Sequence, residues 1–156
     1  MNLMSRTLAV AITLWLTIVT GPADAQNYTL APSFGTQSLA SGFSPDPYQV
    51  PVTAGGRMDA RSVGCAGFVA NAPDFRLIYQ AGTTFSLYFS VQSSADTTLV
   101  INAPNGQWYC NDDFNGLDPA VVFASPMTGQ YDVWIGSYNP GSGLRSTLYI
   151  SELRVH

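Results

Sequence analysis

The stretch TFSLYFSV (residues 84–91) alternates apolar and polar side chains along its length. An alternation of period two is typical of a β-strand that buries one of its faces. The stretch therefore predicts a strand with one face in a hydrophobic core. That face would carry Phe85, Leu87, Phe89 and Val91, and the opposite face Ser86, Tyr88 and Ser90.

The same pattern recurs on both sides of this strand, and turn residues separate the repeats. Asn105-Gly106 is a strong hairpin signal, and NPGSG (139–143) marks a second turn. Because no ten-residue window has a helical period, we predict an all-β fold: an antiparallel, jelly-roll-like β-sandwich of about seven or eight strands. The other strand candidates are FRLIYQ (75–80), TTLVINA (97–103), VVFA (121–124), YDVWIGSY (131–138) and STLYISEL (146–153).

The first 25 residues have the features of a signal peptide. Arg6 gives a positive start, Leu8 to Val19 form an apolar run, and Ala23-Asp24-Ala25 matches a small-x-small cleavage site. The run is shorter than the roughly 18 apolar residues of a membrane span. We expect a signal helix that is cleaved after Ala25, no membrane insertion thereafter, and a periplasmic or secreted location.

Cleavage would leave one domain of 131 residues, from Gln26 to His156. Residues 26–53 are rich in Ser, Gly, Pro and Thr, which predicts an extended, partly disordered arm. Tyr48 to Thr53 could form an edge strand, where proline is tolerated. The sandwich proper is expected over 54–156.

Charge argues against a nucleic acid partner. The chain has a net charge of −4, and its six basic residues are all arginine, with no cluster among them. Affinity for nucleic acid depends on neutralising phosphates, so this class of partner is disfavoured. We expect the partner to be an extracellular protein or a polysaccharide.

Cys65 and Cys110 are the two cysteines of the chain. In an exported chain a single structural disulfide between them is the economical interpretation. Free thiols or a redox pair are the alternatives, although the spacing excludes a C-x-x-C motif.

Catalytic motifs are hard to find. The one histidine, His156, is the last residue, and a catalytic triad or dyad needs an oriented imidazole. Paired carboxylates for glycoside hydrolysis could be drawn from the aspartates, but a sandwich of this size leaves little room for a cleft. We therefore expect no catalytic residues.

Oxygen-rich side chains concentrate in DTTLVINAPNGQWYCNDDFNGLDP (96–119). Such oxygen ligands suit calcium, and part of the stretch matches the D-x-[DN]-x-[DN]-G loop, although Val122 at position 12 rules out an EF-hand. The alternative is that these residues form turns and cap strand ends. The candidate calcium ligands are Asp96, Asn111, Asp112, Asp113 and Asp118.

Trp108 and Trp134 are candidate ligand-binding aromatics. If Asp132 faces solvent, Trp134 lies on the outer side of its strand, where it could stack on a sugar or anchor a partner. The alternative is that the segment 26–53 covers it.

Residues 75–153 resemble the bacterial pre-peptidase C-terminal domain family. The resemblance lies in FRLIYQAGTTFSLYF, then ADTTLVINAPNGQWYCNDD, then GQYDVWIGSY, in that order. It implies a small secreted β-sandwich of the kind appended to exported peptidases, and it places Asp96, Asp112 and Asp113 among potential calcium ligands. Members normally accompany a catalytic domain, whereas here we expect the module to stand nearly alone.

These observations predict a non-catalytic, exported binding or accessory module, with calcium as a candidate cofactor. Two alternatives stay open. One is a calcium-dependent carbohydrate-binding module that uses Trp108 and Trp134, and the other is a secreted, peptidase-associated hydrolase.

Overall fold

The computed structural model describes residues 26–156, so the predicted signal helix lies outside the described residues. Two sheets pack face to face, which confirms the predicted all-β sandwich. The sandwich has eleven strands, more than the seven or eight expected, and three of them are short strands from stretches with little apolar–polar alternation: Thr36–Ala40, Met58–Asp59 and Phe68–Val69. Within residues 26–156, no helix has the length and apolar character needed to cross a bilayer.

The larger sheet is built around its long central strand, β10. One side of β10 pairs with β5 and then with β4, and the other side pairs with β7. The neighbours are antiparallel except for β1, which runs parallel to β5. The seven strands are β1 (Thr36–Ala40), β3 (Met58–Asp59), β4 (Phe68–Val69), β5 (Phe75–Gln80), β7 (Thr97–Asn102), β8 (Trp108–Asn111) and β10 (Gly129–Ser137).

The smaller sheet has four strands in the order β2-β11-β6-β9, all antiparallel. The predicted edge strand with Pro51 is correct, since β2 lies at the edge of this sheet. The strands are β2 (Tyr48–Gly56), β6 (Leu87–Ser93), β9 (Ala120–Phe123) and β11 (Gly141–Ser151).

The segment 26–53 differs from the extended arm expected for it. Part of it forms β1, which extends the larger sheet, and another part begins β2, which extends the smaller sheet. The strand β2 continues to Gly56, across the boundary expected at residue 54. The sandwich therefore includes both strands of this segment.

The main core lies between the sheets, as the alternation predicted. Leu87, Phe89 and Val91 are fully buried there, but Phe85 is exposed because β6 begins only at Leu87. The residues that meet them from the other strands include Leu77, Leu99, Ile101, Tyr131, Val133, Ile135, Leu148 and Ile150.

A second, smaller hydrophobic cluster lies on the outer face of the larger sheet. We call it the outer cluster. Residues 58–69 fold over this face through β3, a single 3-10 turn (Ala60–Val63) and β4. The cluster consists of Ala60, Cys65, Val69, Val100 and Trp134, with Met58, Val63 and Trp108 packed against it.

Candidate functional site

The disulfide between Cys65 and Cys110 is present, as predicted. It ties the segment after the 3-10 turn to β8, at the rim of the outer cluster. It adds a covalent tie to the backbone hydrogen bonds through which β3, the 3-10 turn and β4 already hold this segment to the sheet. The bond therefore fixes the cover of the outer cluster rather than the main core.

Trp134 is fully buried, so its ring has no face free for a ligand. It does point away from the main core, as predicted, but residues 58–69 cover it instead of the segment 26–53. Trp108 is half-buried, and the centroid of its ring lies 5.2 Å from that of Trp134. The two tryptophans form part of a core, which argues against the sugar-stacking alternative.

Asp132 also differs from expectation, because it is buried rather than solvent-facing. Its Oδ1 forms an ion pair with Arg76 Nε at 2.6 Å, and its Oδ2 accepts a hydrogen bond from Gln130. Arg76 Nη2 donates to the carbonyl oxygens of Tyr28 and Leu30. The pair therefore holds the first described residues against the larger sheet.

Two of the five predicted calcium ligands are engaged with backbone amides. Asn111 Oδ1 accepts from Ala120 N at 3.0 Å, and Asp118 Oδ1 accepts from Ser93 N at 3.1 Å. Both bonds fix the ends of the β8–β9 loop, as the turn-and-cap alternative predicts.

The remaining candidates, Asp96, Asp112 and Asp113, lie near one another. Burial raises the pKa of Asp96, and the charges of Asp113 and Asp112 raise it further. Even so, no three acidic, histidine or cysteine side chains of residues 26–156 are arranged to hold a metal ion. This arrangement does not match a preformed calcium site, and calcium binding stays a prediction.

Sequence reasoning missed two buried carboxyl groups. Asp74 Oδ2 accepts a hydrogen bond from Ile135 N at 2.7 Å, in the gap on β10 between its pairings with β5 and β4. Burial raises the pKa of Asp74 to about 7. The Pro73-Asp74 pair before a strand was visible in the sequence, but only the pairing of β10 shows which amide needs this acceptor.

Glu152 carries the second buried carboxyl group that the sequence did not reveal. It accepts from Tyr79 Oη and, at 2.6 Å, from Gly42 N. Burial and this hydrogen bond raise the pKa of the Tyr79 hydroxyl to about 12. The backbone N–H of Glu152 donates to Asp46 Oδ2, which ties the β1–β2 loop to the end of β11. These hydrogen bonds hold the β1–β2 loop against the end of β11. The Glu152 carboxylate is buried and occupied by them.

His156 is the one imidazole of the chain. Its backbone N–H donates to Ser90 Oγ, and its ring stacks on Tyr149 with 5.6 Å between centroids. The ring therefore rests on the outer face of the smaller sheet, beside an aromatic side chain rather than a serine–carboxylate pair.

The fold of this chain is similar to the 1.0 Å crystal structure of the pre-peptidase C-terminal domain of a collagenase from Bacillus anthracis. The TM-score is 0.41 and the sequence identity 15%, over 74% of this chain and 92% of that domain. No family model and no curated protein matches the chain. The likeness concerns the fold alone.

Proposed function

We propose that this chain is an exported, non-catalytic β-sandwich module that binds or assists another extracellular protein, such as an exported peptidase. The disulfide between Cys65 and Cys110 carries the proposal, because such bonds persist in oxidising compartments and are rare in the cytosol. The sequence resemblance of residues 75–153 to a family of accessory domains points the same way.

The use of the buried acidic groups supports a non-catalytic role. Asp74 and Glu152 accept hydrogen bonds from backbone amides inside the sandwich, and Asp132 neutralises Arg76. A general acid or base needs access to a substrate as well as a suitable pKa. These carboxyl groups serve the fold instead.

Partner capture and activity assays test the proposal together. The full sequence is expressed for export, and the processed chain is checked by mass spectrometry for a start at Gln26 and a Cys65–Cys110 bond. It is then cross-linked to the exported proteins of its source. We expect cross-links to an exported hydrolase or surface protein, and no turnover of protein or glycoside substrates by the chain alone.

Two results would contradict the proposal in different ways. Turnover that Asp112→Asn or Asp113→Asn abolishes would identify a hydrolase. Glycan binding that Trp108→Ala abolishes would identify a carbohydrate-binding module.

A further inference from the structure

The β8–β9 loop contains a narrow, hydrogen-bonded turn, which we call the hairpin tip (residues 114–118). Asn115 and Asp118 pair through both of their backbone hydrogen bonds, and Phe114 N donates to the same Asp118 carbonyl at 3.1 Å. Gly116 has a φ of +66° at the first central position, as in a type II′ turn. The side chains of Asn111 and Asp118 fasten the base of the loop. The backbone of the hairpin tip is therefore held by hydrogen bonds both within the turn and at the base of the loop.

The hairpin tip presents two large apolar side chains to solvent. Phe114 and Leu117 are each 56% exposed, and among the large hydrophobic residues of 26–156 only Leu153 is more exposed. Isolated exposed apolar residues are ordinary, but two on one rigid turn are not. Because aromatic and aliphatic groups that enter a pocket dominate binding energy, the pair has the form of an interface anchor.

Two carboxylates adjoin this apolar pair in the chain. Asp112 and Asp113 come directly before Phe114, and their charges act on Asp96 nearby. The two ion pairs within residues 26–156 involve Asp59 and Asp132, so Asp112 and Asp113 keep their charge unpaired. Negative charge beside exposed apolar groups favours a partner that presents positive charge beside apolar side chains.

A lipid surface fits these features less well. Phe114 and Leu117 could enter a bilayer, but the adjacent carboxylates would meet the negative potential of anionic headgroups. Basic side chains on a protein partner would instead attract these carboxylates.

We propose that the hairpin tip is a docking knob for a protein partner, with Phe114 and Leu117 packing against apolar side chains that are flanked by arginine or lysine side chains. The inference rests on the proposed function, in which the chain binds another extracellular protein. It adds where the contact is made and the chemistry that the partner must have.

Peptides of known sequence can test the knob without knowledge of the natural partner. Random dodecapeptides displayed on phage are selected for binding to the exported wild-type chain. The enriched peptides are synthesised and titrated against the wild type and its variants. The tip variant is Phe114→Ser/Leu117→Ser, and the charge variant is Asp112→Asn/Asp113→Asn. Ile78→Ser/Val122→Ser is the matched control, since it removes two exposed apolar side chains from strands elsewhere. Melting curves confirm that each variant is folded.

We expect the selected peptides to combine basic with large apolar residues. Their affinity should fall roughly tenfold or more in the tip variant, because buried anchors dominate such contacts. It should fall less in the charge variant and with added salt, and it should not change in the control.

Other outcomes would overturn the inference. Peptides that bind the tip variant as tightly as wild type, or that lack basic residues, would refute the knob. If the wild-type chain co-sediments with phosphatidylserine-containing vesicles and the tip variant does not, the partner is a membrane rather than a protein. If the tip variant cross-links to exported proteins as the wild type does, the docking role of the hairpin tip is refuted but the proposed function is not. Turnover by the purified chain would instead remove the proposed function.

Discussion

Asp74 is a carboxyl group whose surroundings disfavour its charge. Burial raises its pKa from 3.8 to about 7, although the hydrogen bond from Ile135 N works in the opposite direction. A folded-state pKa above the unfolded value means that folding favours the protonated form. The resulting stability is fully present below about pH 4 and is lost as the pH rises through about 7.

We predict that Asp74→Asn removes most of this pH dependence. The amide oxygen can still accept from Ile135 N, and no charge has to be buried. The wild type should lose roughly 2–4 kcal/mol of its free energy of unfolding between about pH 5 and about pH 9, and the variant far less. Urea unfolding followed by circular dichroism at both pH values measures the difference. Asp59→Asn, at a surface carboxylate whose amide replacement can still cap the 3-10 turn, is the control and should keep the wild-type profile.

The Arg76–Asp132 pair gives a second prediction at this scale. Arg76→Leu would leave Asp132 charged and buried, and removal of one partner from a buried pair costs about 3 kcal/mol or more. The double variant Arg76→Leu/Asp132→Asn should cost less, because no charge is left behind. Guanidinium unfolding midpoints of the three proteins test this. A double variant less stable than Arg76→Leu would show that the buried charge is not the main cost.

At the scale of elements, the alternating strands were predictable from the sequence. Strands β5, β6, β7, β10 and β11 all arise from stretches in which one face is apolar. The period of two residues fixes which side chains enter the core, because a shift by one residue would turn every apolar group to solvent. For these strands the sequence shows which side chains enter the main core, whereas β7 and β10 are buried on their outer face as well, which the alternation does not show.

The other elements could not be read from local patterns. Strand β1 exists because its backbone pairs with β5 in a parallel register, and its side chains alternate only between half-buried and exposed. Residues 58–69 are held by the disulfide and by contact with Trp134. Because both effects connect distant parts of the chain, they appear only once the sheet is assembled.

The disulfide allows a prediction for this covering segment. Its chain-entropy contribution for a loop of this length is about 4 kcal/mol. Cys65→Ala/Cys110→Ala should therefore lower the free energy of unfolding by an amount of that order. It should also speed amide hydrogen exchange in residues 58–69 more than in β10, since the segment loses its covalent tie. Equal exchange in both regions would show that the outer cluster holds its cover without the bond.

At the scale of the whole molecule, the sequence located the acidic loop but not what its residues do. The oxygen ligands were visible as a composition, whereas their pairing with Ser93 and Ala120 depends on how β6 and β9 meet. Local spacing cannot separate a capping aspartate from a metal ligand, because both roles use the same oxygen atom.

Calcium binding can be tested on the intact protein. A site filled at 100 times its Kd would stabilise the folded state by about 2.7 kcal/mol, which corresponds to several degrees in melting temperature. If Asp96, Asp112 and Asp113 bind calcium, the melting temperature should rise with calcium and fall with chelator, and Asp112→Asn/Asp113→Asn should remove the difference. Identical curves for the wild type with and without calcium would eliminate the prediction.

The separation of the outer cluster from the main core has a practical consequence. Both tryptophans of residues 26–156, Trp108 and Trp134, lie in the outer cluster, whereas Tyr79 and Tyr131 lie between the sheets. Indole fluorescence therefore monitors the outer cluster, whereas far-ultraviolet dichroism monitors the strands of the whole sandwich. A single denaturation series recorded with both signals would show whether the outer cluster unfolds together with the sandwich or before it.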